Sequence, residues 1–265
     1  MPGPERSVDL GFVDLSGDKR PERDKAYDII EASSAKLEDL PFPEDTEFRR
    51  LSLDIYNFYV EDLPDFTSNN EGMMKLQVNT RNPQDLAEIP TDMTFVTKFH
   101  AKDKSYAPSF LYRGVFRNVL FREWFNLRID LYELDTDADV YYDKIRSVID
   151  GVPEIRNLDV LAGIPYVGVA TKLFDGIIRT FGRNPDDHIW GEFPMLQLVP
   201  VVGGAFLRSG IYVLFEKKNI QKKKKVPVEA LGYKNGEVFV KKDHTVDRPN
   251  HLVFGVLIQA HPAQW

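Results

Sequence analysis

The sequence predicts a mainly β protein, an antiparallel β-sandwich, and three observations carry that expectation. Apolar and polar residues alternate over several separate stretches, the two-residue period of half-buried strands. Phe and Tyr dominate an aromatic share of 12%, and such rings suit a pleated surface. Asn235–Gly236 separates two of the later segments, and both residues tolerate the positive φ of a tight hairpin.

Taken in order, residues 1–45 read as a polar N-terminal arm with one short helix. The stretch DKAYDIIEASSAKLEDL sets Tyr27, Ile30, Ala35 and Leu37 loosely on one side, and PFPEDT stops it. From Phe48 the period changes, and residues 46–265 are expected to form a single β-sandwich domain. Leu51, Leu53 and Ile55 open a strand at 51–60, and Met74, Leu76 and Val78 define one at 73–79. Phe95, Val96 and Phe99 mark another with weaker alternation, and Leu127, Ile129 and Leu131 one at 126–134. Later strands are expected at 211–216, 236–242 and 251–259.

Between these strands the period becomes helical. DTDADVYYDKIRSVIDG spaces Tyr141, Ile145, Val148 and Ile149 as one helix face, and Gly151 with Pro153 ends it. PYVGVATKLFDGIIRTFG does the same with Tyr166, Val169, Leu173, Ile177 and Phe181, and Gly182 sits where a left-handed cap belongs. A two-helix insertion is therefore expected at about 138–182.

Composition narrows the function classes. The chain has 265 residues, 43% hydrophobic and 28% charged, ordinary values for a packed protein in water. It has no cysteine, which removes disulfides, thiolate metal sites and cysteine nucleophiles together. The polar N-terminus carries no signal-peptide core, and no window is long and apolar enough for a transmembrane segment, so a cytoplasmic location is expected. A net charge of −7 argues against sequence-specific nucleic-acid binding, which needs a broad basic face. There is no P-loop, no Gly-x-Gly-x-x-Gly, no Gly-x-Ser-x-Gly and no His-Glu-x-x-His. His100, His244, His251 and His261 show no ligand spacing either.

LSLDIYNFYVEDLPDF, then GMMKLQV, then EWFNLRIDLYELDTD follow the strand-and-loop rhythm of C2 domains over about residues 48–140. Trp124, Phe125 and the strand to Leu134 carry the resemblance, and the Asp-Pro-Tyr signature of that family is missing. The resemblance implies a sandwich topology, with a calcium site built from carboxylates at strand ends.

Four places hold candidate chemistry. Glu133, Asp135, Asp137 and Asp139 follow a strand as alternating oxygens, which suits calcium, and Glu61, Asp62 and Asp65 stand ready to complete such a site. EF-hand spacing fails at Val140 and Arg146, and the same acids also suit the N-terminus of a following helix. No other cofactor is expected. Lys217, Lys218, Lys222, Lys223, Lys224 and Lys225 cluster in a strand connection that either meets an anionic surface or guards an edge. The apolar stretch 160–181 is read as a packed helix first and as a membrane-acting helix second. Asp186, Asp187, His188 and Glu192 lie close together between Pro185 and Pro194, where a loop is expected, and form the one enzyme-like group. The functional expectation is a non-catalytic binding or scaffold module that contacts another protein or an anionic lipid surface. Its rivals are an enzyme working near 186–192 and a membrane-acting effector.

Overall fold

The computed structural model describes residues 10–15, 17–18, 20–40, 48–61, 70–80, 92–108, 113–133, 166–167, 188–192, 194–200, 202–216 and 227–260. These residues are mainly β. The strands are β1 (Leu10–Asp14), β2 (Tyr27–Glu31), β3 (Arg49–Val60), β4 (Asn70–Thr80), β5 (Asp92–Ala101) and β6 (Ser105–Tyr106). They continue with β7 (Arg113–Phe121), β8 (Trp124–Glu133), β9 (Tyr166–Val167), β10 (His188–Glu192) and β11 (Met195–Gln197). The last are β12 (Ala205–Phe206), β13 (Gly210–Phe215), β14 (Leu231–Lys234), β15 (Glu237–Val240) and β16 (His251–Ala260).

Two sheets result. The larger runs β15-β14-β2-β1-β13-β16-β3-β6, with β7 also on β3, and the smaller runs β12-β11-β8-β4-β5-β9, with β10 on β8. The strand pairs are antiparallel except β11 with β12. One apolar cluster draws on both sheets: Leu53, Ile55, Phe58 and Phe254 come from the larger, Leu76, Phe99, Ile129 and Trp190 from the smaller. Phe58 meets Phe99 edge-on at 5.3 Å and stacks on Trp190 at 5.9 Å. Each such fully buried ring contributes about 1.5–3 kcal/mol through area alone.

A second cluster lies on the other face of the larger sheet. Val13, Ile29, Val213, Phe215 and Val253 point there, and Leu231, Tyr233 and Val238 of the β14–β15 hairpin cover them. The sheet has curled over its own face. This accounts for Ile211–Phe215, an unbroken apolar run, because a strand buried on both faces has no polar side to show.

The expected strands at 51–60, 73–79, 126–134, 211–216, 236–242 and 251–259 all appear, with ends shifted by a few residues. The Asn235–Gly236 hairpin also forms, with φ of 53° and 89°. The N-terminal helix does not. Tyr27–Glu31 is a strand between β1 and β14, and only Ala35–Leu37 turns, as a short 3-10 segment beneath Ser34. Tyr27 and Ile29 bury one side while Asp28 stays exposed, so the two-residue period and sheet pairing override the weak helical spacing. These residues belong to the larger sheet rather than to a helical arm.

Most of the expected insertion at 138–182 lies outside the described residues. At Tyr166–Val167 the helical expectation fails, because these two pair with Thr94 and Met93 as an edge strand. An aromatic and a β-branched residue after Pro165 suit extended backbone. His188–Glu192 is likewise a strand rather than a loop, paired to β8 with a bulge between His188 and Trp190. Burial of Trp190 in the shared core pulls this segment into the sheet.

Candidate functional site

Two features stand out, one where the larger sheet closes and one at the β11–β12 end of the smaller sheet. The first is the seam where the curled sheet returns on itself. Arg248 spans it: Nη1 donates to the Val238 carbonyl on β15 at 3.0 Å and to the Tyr106 hydroxyl on β6 at 3.3 Å. Its guanidinium lies 3.5 Å from the centroid of the Tyr59 ring on β3. One side chain thus joins the two end strands of the sheet, giving a buried carbonyl of the end strand β15 a donor. Asn57 reinforces the closure by donating to the Gly236 carbonyl in the hairpin turn.

Behind Tyr59 stands His251, fully buried, its ring stacked at 5.1 Å and also facing Phe215 and Tyr106. Nδ1 lies 2.7 Å from the Pro249 carbonyl. A carbonyl only accepts, so Nδ1 carries the proton and Nε2 holds a lone pair. No described group meets Nε2. Burial pushes the His251 pKa down to about 3, and the Arg248 cation adds to the effect. Nearby, Asn250 donates to Glu216 and accepts from the Glu61 amide, each at 2.5 Å, and Tyr59 donates to Glu61 at 2.7 Å. Burial raises the pKa of both Tyr59 and Tyr106. The seam is a set of polar groups bonded largely to one another, the chemistry of a closure.

The second feature is the connection between β11 and β12. These strands pair in parallel, Leu196 with Ala205 and Gln197 with Phe206. A tight hairpin cannot join parallel neighbours, so the chain must return the length of β11, roughly 10 Å, before pairing again. Gly203 makes the reversal with φ 79°. The turn leaves Val199 88% and Val202 96% exposed.

The base of this loop is tied from inside. Arg208 is buried, and its Nη1 donates to the carbonyls of Leu198 at 2.8 Å and Leu207 at 2.9 Å, on either side of the turn. Nε donates to the Leu37 carbonyl at 3.2 Å. The Tyr212 hydroxyl accepts from the Arg208 amide at 2.8 Å and faces the Phe206 carbonyl at 2.9 Å. The Leu198 amide donates to the Glu123 carbonyl at 3.1 Å. Burial lowers the Arg208 pKa, yet guanidinium keeps its proton and all its donors. The apolar tip is therefore held on a braced stem. Exposed Lys36, Glu38, Asp39, Arg122 and Glu123 flank its base.

Of the residues expected from sequence to carry chemistry, few are described. Glu133 ends β8, while Asp135, Asp137 and Asp139 lie outside the described residues, as do Asp62 and Asp65. Glu61 and Glu133 emerge at the same end of the two sheets, since Phe58 beside the one meets Phe99, which pairs with Gly72 beside the other. Lys217, Lys218 and Lys222–Lys225 are outside the described residues, although the lysine run follows directly on Glu216 at the seam. Asp186 and Asp187 also lie outside, and His188 and Glu192 occupy the two ends of β10. Among the described residues no group of His, Asp and Glu is arranged to hold a metal ion. No described helix is long and apolar enough to cross a membrane.

Sequence reading missed both features. Arg248, in DRPNH, sits between strands with no pattern of its own, and the distance from Tyr59 and Tyr106 hides the cluster. The loop had a legible signal in LVPVVGGAF, nine residues without a polar side chain. Compared with protein-family models, curated proteins and solved structures, the chain matches none.

Proposed function

We propose that this protein is a non-catalytic binding or scaffold module built on a C2-like sandwich, and that it makes contact through the braced loop bearing Val199 and Val202. The observation that carries the reading is the pairing of two nearly fully exposed valines with a buried arginine that fixes their stem. Scattered exposed apolar residues need no explanation, but two in one turn on a rigid base form a contact surface. The test compares wild-type protein with Val199→Ser/Val202→Ser in affinity capture, followed by reassembly from purified components. A partner held by the wild type and lost by the variant supports the reading. Equal retention by both contradicts it.

A second contact, to anionic lipid, is proposed for Lys217, Lys218 and Lys222–Lys225. Its support is the six lysines themselves, placed directly after a strand that ends at the seam. Clustered lysines gain about 1 kcal/mol each near an anionic membrane. Sedimentation with phosphatidylserine vesicles tests this, and it fails if Lys222–Lys225→Gln pellets as the wild type does. A calcium site at Glu133, Asp135, Asp137 and Asp139 is supported by the acidic sequence and by Glu61 and Glu133 sharing one end. A melting temperature unmoved by excess calcium would remove it.

A further inference from the structure

We infer that the seam is an acid-released latch: proton uptake by His251 frees the β14–β15 hairpin from β3 and β6 while the core between the two sheets stays packed. The hairpin is held at the seam by side chains. β15 and β6 are the ends of the larger sheet, and among the described residues no backbone ladder joins them. Arg248 reaches the Val238 carbonyl and the Tyr106 hydroxyl, and Asn57 reaches the Gly236 carbonyl. On its other side β14 meets β2 only at Gly232 and Tyr233. The hairpin also takes no part in the shared core, since its Leu231, Tyr233 and Val238 pack in the second cluster alone. It can therefore lift off without disturbing the contact between sheets, and a hairpin on its own is marginal in water.

His251 stands where a charge works against closure. Phe215, His251, Tyr59 and Tyr106 are register partners on β13, β16, β3 and β6, and their rings form one rank beside Arg248. Nδ1 is committed to the Pro249 carbonyl, so the proton goes to Nε2, which is buried with no described acceptor. The imidazolium is then out of water and unpaired, against the same Tyr59 ring that already carries the Arg248 cation. The carboxylates around it are engaged elsewhere: Glu61 accepts from Tyr59, Glu216 accepts from Asn250, and Glu237 on β15 acts on Tyr106. Burial and Arg248 hold the pKa of the closed ring down to about 3, below its ordinary 6.5. Lifting the hairpin returns water to the ring, so the open form binds the extra proton and gains on the closed one as pH falls from about 6.5 toward 3.

Amide hydrogen exchange of the full chain at about pH 7.5 and about pH 5, corrected for the intrinsic rate, tests the latch. The β14–β15 amides should be less protected than those of β4 and β8 at both values. Their protection should fall about thirtyfold between the two, the ratio set by a ring that titrates near 6.5 when open and near 3 when closed. The fall should vanish in His251→Phe, and in His251→Gln if the phenyl ring does not pack. A wild-type hairpin with no fall, or an unchanged fall in the variant, would overturn the latch. So would equal protection in the hairpin and in β4 and β8, because the seam would then open only with the whole fold.

Discussion

The seam and the loop invert the usual arrangement of a globular protein in opposite senses. At the seam, a histidine, an asparagine and a glutamate are taken out of water. At the loop, two valines are left in it. The two lie the length of β16 apart, roughly 23 Å at about 3.3 Å per residue, from His251 to the Ile258 amide held by Ser209. Buried polar groups cost stability unless bonded, and at the seam Arg248 adds bonds to β6 and β15, the end strands of the larger sheet. Exposed valines add nothing to folding. One end is spent on holding the sheet closed, and the other is available for contact.

The comparison can be broken at several points, and Arg208 should have the largest effect. Replacing it with Met takes the guanidinium donor from the Leu198 and Leu207 carbonyls and one of two donors from the Leu37 carbonyl, and should cost about 3 kcal/mol or more in urea unfolding. It should also weaken partner capture, because the stem loses its tie. Arg248→Ala at the seam should cost about 2 kcal/mol, by loss of the Val238 bond and the stacking on Tyr59. Arg248→Lys should recover only part, since a point charge cannot reach both acceptors while lying flat on a ring. Partner capture by either variant should be unchanged below its melting temperature.

His251 gives the comparison a pH axis. Its folded pKa, about 3, lies below the unfolded value near 6.5. Between those values the unfolded chain binds the extra proton, so stability falls as pH drops below about 6.5 and goes on falling toward 3. The melting temperature of the wild type should therefore decline through this window. His251→Phe, which keeps a flat ring beside Tyr59 but cannot take up a proton, should decline less steeply. Parallel curves for the two proteins would show that His251 does not carry the acid sensitivity. The smallest effect belongs to Tyr106→Phe, about 1 kcal/mol by thermal or urea unfolding, for one hydroxyl at the edge of the seam.

Much of the fold was legible because its signal is local. Leu51, Leu53 and Ile55, or Leu127, Ile129 and Leu131, announce a strand by alternation alone. What escaped did so where alternation breaks. In β7, Val115 and Phe116 are both buried because the register with β3 shifts between Leu53 and Asp54, and a separate shift at Asn118, φ 53°, sets its amide on Ser52. In β3, a second bulge at Tyr56 shifts the inward set from Leu51, Leu53 and Ile55 to Phe58 and Val60. β2 was mistaken for helix because Tyr27 and Ile30 share a helical face as readily as Tyr27 and Ile29 share a strand face. Only pairing with β1 and β14 decides between them. The seam was invisible for another reason: Tyr59, Tyr106, Val238 and Arg248 meet only after the sheet has curled. The valine loop was visible as composition, yet its exposure depends on the parallel pairing of β11 with β12, which no local pattern reports.

The most direct test is urea unfolding of Val199→Ser/Val202→Ser against the wild type. If the loop serves contact and the seam serves closure, the variant should match the wild type within about 0.5 kcal/mol, with an unchanged urea slope. A loss of about 2 kcal/mol or more would mean that the valines are part of the packed fold, and the division between the two ends would not hold.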